Sequence, residues 1–158
     1  MRKCYLLFVV VLTVVILPYS ASAQFLPGIS EITAYGGVTV NGTNETTAGG
    51  ALAVNVTPRM GIEGEVGVIF AKEEIINLNA DLVLNFGSGT SLIVPYVLGG
   101  AGFLNNGGTD IALNAGAGLK LFIEPNIALR ADFRAFLTSQ DGNVHDLERF
   151  YGGISLLF

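Results

Sequence analysis

The chain has 158 residues, 51% hydrophobic and only 13% charged, with 8 basic residues against 13 acidic and a net charge of −5. That balance argues against a nucleic-acid partner and against charge-driven anchoring on anionic lipid. A single cysteine and a single histidine leave no disulfide framework and too few ligands for a zinc site.

Arg2 and Lys3 form a short basic region, Tyr5 to Leu17 is an apolar run, Pro18 breaks it, and Ala21-Ser22-Ala23 offers small residues for cleavage. This is the anatomy of a secretory signal peptide, with cleavage expected before Gln24. The run is short for a helical span of roughly 20 residues. Cys4 lies in the basic region, too early for a lipoprotein cleavage box, so the mature chain would have no thiol chemistry. Residues 1–23 are thus expected to be removed and residues 24–158 to form one domain. Loss of Arg2 and Lys3 leaves 6 basic residues against 13 acidic, a net charge of −7.

Beyond residue 23 no apolar run is long enough for a transmembrane helix. The hydrophobic residues are instead spread over alternate positions, in eight strand-like segments: about Glu31–Val40, Thr46–Val56, Met60–Phe70, Ile75–Phe86, Ser91–Phe103, Thr109–Ile123, Ile127–Thr138 and Arg149–Phe158. Most are near the roughly 9–11 residues that a tilted strand needs to cross a bilayer. Thr57-Pro58-Arg59, Gly87-Ser88-Gly89-Thr90 and Glu124-Pro125-Asn126 read as tight turns at one end. Asn41 to Glu45, Ala71 to Glu74, Asn105 to Gly108 and Ser139 to Asp146 connect at the other end, only the last being long.

Alternation is clearest in the seventh segment, where Ile127, Leu129, Ala131, Phe133 and Ala135 share one face and Arg130, Asp132 and Arg134 the other. The third opposes Glu63 and Glu65 to Ile62, Val66 and Val68; the fourth opposes Asn77, Asn79 and Asp81 to Leu78, Leu82 and Leu84. The sixth groups Asn114 and Lys120 with Gly116 and Gly118, and the eighth groups Arg149 with Tyr151, Gly153 and Ser155. A soluble barrel turns the apolar face inward; a membrane barrel turns it to lipid and the charges to the lumen. Periodicity does not choose between them, but an export signal favours the second. A small barrel has an interior just wide enough for side chains, so long Arg and Glu side chains there need facing glycines. The fifth segment is the least regular, with Pro95 and two equally apolar faces. Phe70, Phe86, Phe103, Phe122, Phe136, Phe150 and Phe158 fall near segment ends, as interfacial aromatic girdles do.

The chain closes on Tyr151-Gly-Gly-Ile-Ser-Leu-Leu-Phe158. Together with Pro95 to Phe103, Asn114 to Lys120 and Leu129 to Phe136, this resembles the last four strands, in order, of the small outer-membrane β-barrel family of OmpA/OmpX-like, porin-like proteins. The resemblance implies an all-β, eight-stranded, antiparallel up-and-down transmembrane barrel in a Gram-negative cell envelope. It further implies insertion into outer-membrane lipid by the assembly machinery, with periplasmic chaperones; a monomer is expected. Tyr151, Gly153, Leu156 and Phe158 match that family's assembly signal. Phe158 is then expected to face lipid at the periplasmic rim, next to Phe86 or its neighbours in the girdle. No added cell-wall-binding domain follows Phe158, so a tether of that kind is not supported.

No catalytic motif, cofactor site or metal site emerges. His145 lies near Ser139, Asp141 and Asp146, but nothing in the spacing fixes a nucleophile–base pair, and an exposed loop histidine is expected. No EF-hand spacing is present. Gly99 to Gly102 and Gly116 to Gly118 lie within strands and lack the lysine–hydroxyl pair of a phosphate loop. Asn41 and Asn44 begin glycosylation patterns that read better as turns. The remaining constellation is a lumen charge network, with Glu63, Glu65, Asp81 and Asp132 balancing Lys120, Arg130, Arg134 and Arg149. Buried ions must be paired, so the expectation is a salt-bridged plug and a structural or surface-interaction role without catalysis. The alternatives are a narrow porin and a lipid-modifying enzyme.

Overall fold

A computed structural model describes residues 28, 30–41, 43–87, 91–105, 108–140 and 143–158. The expected signal peptide and its cleavage site lie outside these residues. Eight strands follow in order: β1 Ser30–Asn41, β2 Thr43–Asn55, β3 Met60–Phe70, β4 Ile75–Asn85, β5 Ile93–Asn105, β6 Thr109–Glu124, β7 Ile127–Gln140 and β8 Asn143–Leu157. Each pairs antiparallel with its sequence neighbour, and β8 returns to pair with β1, closing the barrel. A closed sheet leaves no edge with unpaired backbone groups, the requirement for a sheet in hydrocarbon.

The period-2 pattern decides which way each residue points. In β3 exposed and buried residues alternate from Met60 to Ile69, with Ile62 and Val66 outside and Glu63 and Glu65 inside. In β4 Leu78 and Leu82 are outside, while Asn77, Asn79 and Asp81 are inside. Ile32, Leu52, Ile111, Leu113 and Ile154 continue the exposed apolar belt. The barrel is inside out relative to a soluble one, with charges buried and aliphatic side chains outward.

Glycines make the interior possible. A Cβ on Gly118 would strike the Tyr96 ring, one on Gly116 would strike Arg134, one on Gly100 Asp81, and one on Gly102 Asn79. The outward glycines Gly36, Gly64 and Gly152 meet no such obstacle. The inward positions are therefore held at glycine by the large lumen side chains lying across them.

Three expectations are corrected. The long loop expected from Ser139 to Asp146 is mostly strand: β7 and β8 stay paired as far as Gln140↔Asn143, and His145 stands opposite Thr138 in the ladder. The polar residues there interrupt apolar alternation without interrupting backbone pairing. Phe136 belongs to the interior and not to a girdle, being 1% exposed, because it shares the face of Arg130, Asp132 and Arg134. Phe158 is not near Phe86. Its backbone exchanges hydrogen bonds with Ser30 at 2.9 Å, whereas Phe86 bonds Pro95 at the β4–β5 connection, across the barrel.

Candidate functional site: a charged and closed lumen

Arg134 is the centre of the lumen. From β7 its guanidinium donates through Nη1 to Asp81 of β4 at 2.6 Å and through Nη2 to Glu63 of β3 at 2.6 Å. Nη1 also lies 3.0 Å from Glu65, and Nε 3.1 Å from Asp132. One cation thus engages four carboxylates drawn from three strands. The planar guanidinium, with five fixed donors, suits such a node, and an ammonium would not.

Arg130 grips Glu63 through both terminal nitrogens, and Arg149 reaches Glu65 at 2.7 Å. Two tyrosines relay between the signs. The Tyr96 hydroxyl accepts from Arg130 Nε at 2.7 Å and donates to Asp132. The Tyr151 hydroxyl accepts from Arg134 at 3.1 Å and donates to Asp132 at 3.0 Å. Asn77 and Asn79 donate to Glu65, and Asn114 to Asp81. Tyr35 stacks on Tyr151 with ring centroids 4.3 Å apart, and the Arg149 guanidinium stands 5.2 Å from the Tyr35 ring.

Seven of the eight charged residues singled out from the sequence meet in this one network: Glu63, Glu65, Asp81, Arg130, Asp132, Arg134 and Arg149. The eighth, Lys120, pairs instead with Glu31 toward the end of the barrel that holds Ser30 and Leu157. Arg130 links the two groups, 3.9 Å from Glu31. Glu31 and the tyrosines Tyr35 and Tyr96 were not singled out. The missed signal is parity, since Glu31, Thr33 and Tyr35 alternate with outward Ile32 and Ala34. Among the described residues the buried charges are Glu31, Glu63, Glu65, Asp81 and Asp132 against Lys120, Arg130, Arg134 and Arg149. The interior is therefore close to neutral, and its charges are consumed by one another.

A second layer lies toward the opposite end. Ile69, Leu104, Ala112, Phe136 and Leu147, from five different strands, form a buried apolar cluster, with Ile75 against it. The fifth segment's equally apolar faces find their explanation here and in a smaller cluster of Val83, Tyr96 and Leu98: the β5 side of the lumen is itself largely apolar. Along the axis, the buried apolar cluster is followed by a layer in which Arg130, Arg134 and Arg149 are each ion-paired.

Of the terminal residues, Tyr151 points into the network, Gly153 lies against Tyr35, and Leu156 and Phe158 face outward, Phe158 being 72% exposed. No group of acidic, histidine or cysteine side chains arranged for a metal occurs among the described residues.

An apolar belt outside and ion pairs inside, on a closed eight-stranded sheet, define a transmembrane β-barrel. No protein-family model matches the chain, and no curated protein does. Solved structures do. The N-terminal β-barrel domain of Pseudomonas aeruginosa OprF superposes with a TM-score of 0.71 at 18% identity, over 84% of this chain and 98% of that one. A de novo designed transmembrane β-barrel gives 0.63 at 20% identity, over 84% and 97%. The outer membrane enzyme PagL gives 0.53 at 17% identity, over 80% and 98%. The fold is that of the small outer-membrane barrels. At such identities the likeness extends to the fold alone, and a natural domain, a designed protein and an enzyme share it.

Proposed function

We propose that this protein is an integral barrel of the bacterial outer membrane with a closed lumen and a structural or surface-interaction role, and that it is not an enzyme. The observation that carries this reading is the self-paired interior: among the described residues, every buried cation has a carboxylate partner within the barrel. Breaking a buried pair costs about 3–5 kcal/mol, so a resting channel has no inexpensive route through this layer. In this reading residues 1–23 direct export and are cleaved before Gln24. Tyr151, Gly153, Leu156 and Phe158 are presented to the assembly machinery, and the barrel works as a monomer without cofactor.

The connections opposite the chain termini are short, at positions 42, 71–74, 106–108 and 141–142. So few residues leave no room for long loops, which favours a role in the membrane itself over adhesion through them. Planar-bilayer recording of the folded monomer tests the reading. No steady conductance is expected; a stable, ion-selective conductance would replace it with the narrow-porin alternative.

A further inference from the structure

The central layer is short of one positive charge. Among the described residues Glu63, Glu65, Asp81 and Asp132 face Arg130, Arg134 and Arg149, four carboxylates against three guanidiniums, while Lys120 and Glu31 cancel in a pair of their own. The shortfall has a location. Glu63, Glu65 and Asp132 each meet two guanidiniums. Asp81 meets only that of Arg134, which the other three carboxylates also engage.

Hydrogen bonding is unbalanced in the same place and in the same sense. The carbonyl oxygens of Asn77, Asn79 and Asn114 are buried and meet no donor among the described residues. Their orientation is forced. Asn77 and Asn79 turn their amide nitrogens to Glu65, and Asn114 turns its own to Asp81. A carboxylate only accepts, so reversing any of these amides would set oxygen against oxygen. Asn79 and Asn114 are 3% and 6% exposed, and a buried acceptor without a donor calls for a water or an ion.

The sheet register collects these oxygens. Asn79 and Asp81 of β4 stand opposite Gly102 and Gly100 of β5, and Gly100 stands opposite Asn114 of β6. A Cβ on Gly102 would strike Asn79 Oδ1, and one on Gly100 would strike Asp81 Oδ1. Both oxygens therefore lean over a stretch of β5 that has no side chains on the inside. Asn114 reaches Asp81 Oδ1 from the far side of that stretch, at 2.7 Å. A water would satisfy the amide oxygens and leave the charge unbalanced. A proton would balance the charge and satisfy a single acceptor. A small monovalent cation does both, and carbonyl oxygens are the ligands with which proteins replace the hydration shell of such an ion. A divalent ion would overshoot the charge by one.

We propose that Asp81, Asn79 and Asn114 hold one monovalent metal cation, of the sodium or potassium class, over Gly100 and Gly102. The ion is a fixed counter-charge of the lumen and takes no part in chemistry. The proposal rests on the closed lumen given above and adds an occupant and its ligands, which that reading does not name.

The test is urea unfolding and refolding of the barrel in lipid vesicles over a range of potassium chloride, with choline chloride keeping the ionic strength constant. The folding equilibrium constant should rise about ten-fold for each ten-fold rise in potassium above its dissociation constant, as for one ion bound only by the folded state. Asp81→Asn brings the layer to three carboxylates and three guanidiniums and should lose this dependence, as should Asn79→Leu. Gly64→Ala, on the outer wall where a Cβ meets nothing within 4 Å, should keep it. Crystals grown with rubidium in place of potassium should show one anomalous peak against Asp81 and Asn79. Equal folding in potassium and choline, a dependence retained by Asp81→Asn, or a rubidium peak elsewhere would each overturn the proposal. Folding that responds to pH and not to potassium would assign the missing charge to a proton and overturn it too. Heat-modifiable gel migration shows that each variant forms the barrel. Steady conductance in planar bilayers would remove the closed-lumen reading while leaving the potassium dependence to be read by itself, so the two failures stay separate.

Discussion

Arg134 Nη1 and Asp81 Oδ2 meet at 2.6 Å across the lumen, from β7 and β4, strands that share no ladder. The pair ties together walls that backbone hydrogen bonding does not connect directly. The two partners are not equivalent. Arg134 serves four carboxylates, whereas Asp81 retains only the Asn114 amide, at 2.7 Å, if Arg134 is lost. Arg134→Met would strand Glu63, Glu65, Asp81 and Asp132 with fewer cations, and should destabilise the barrel by about 3–5 kcal/mol. Asp81→Asn is nearly isosteric and removes one of five buried acids facing four buried bases. Its cost should be smaller, about 1–2 kcal/mol. Urea unfolding in lipid vesicles measures both, and the order of the two variants is the content of the prediction.

The glycines supply a contrast that does not depend on charge. Gly118→Ala places a methyl against the Tyr96 hydroxyl and the Ala131 carbonyl, and the ring cannot withdraw without leaving Arg130 and Asp132. A loss of about 1–3 kcal/mol is expected, as for other overpacked sites. Gly64→Ala meets nothing within 4 Å and should be neutral or stabilising by up to about 1 kcal/mol. The same unfolding titration checks both. Equal effects would mean that the inward glycines are not placed by the side chains across them.

Parity explains what could be read in advance. Once alternation is seen in β7, Arg130, Asp132 and Arg134 must share a face, and the neighbouring strands follow from the same rule. Phe136 obeys that rule too. Reading it as a girdle residue gave weight to its residue type and its place near a strand end over its parity. The β7–β8 connection was legible as well, because Asp141-Gly142 is a strong short-hairpin signal, but the polar residues on both sides of it masked the continuing strands. The partnership of Lys120 with Glu31 was not legible. They are 89 positions apart, and which charges meet across a closed barrel depends on shear, which no local pattern reports.

Two barriers in series make separable predictions for conductance. Phe136 fills the apolar layer among Ile69, Leu104, Ala112 and Leu147, and its ring also stands 5.1 Å from the Arg149 guanidinium. Phe136→Ala opens a cavity and should cost about 3–5 kcal/mol of stability. It should nevertheless leave the barrel without steady conductance in planar bilayers, because the ionic layer formed by Arg130, Arg134, Glu63 and Asp132 is intact. A steady current through Phe136→Ala would show that the apolar layer is the operative seal and that the ion pairs merely line an otherwise wet lumen.

Phe158 distinguishes installation from stability. Its backbone closes the last ladder rungs with Ser30, but its ring is largely exposed and buries nothing inside the barrel. Phe158→Asp keeps those backbone bonds and should change unfolding of the isolated, refolded barrel by little, since a charge near the membrane interface costs only about 0–1 kcal/mol on a lipid-facing strand. If the terminal residues are read by an assembly receptor, the same substitution should sharply reduce the amount of heat-modifiable barrel recovered from membranes in cells. Membrane yield and in vitro unfolding, measured on the same variant, are the two readouts. A normal yield would remove Phe158 from the assembly signal, and a yield that falls only in proportion to lost stability would assign it an ordinary structural role.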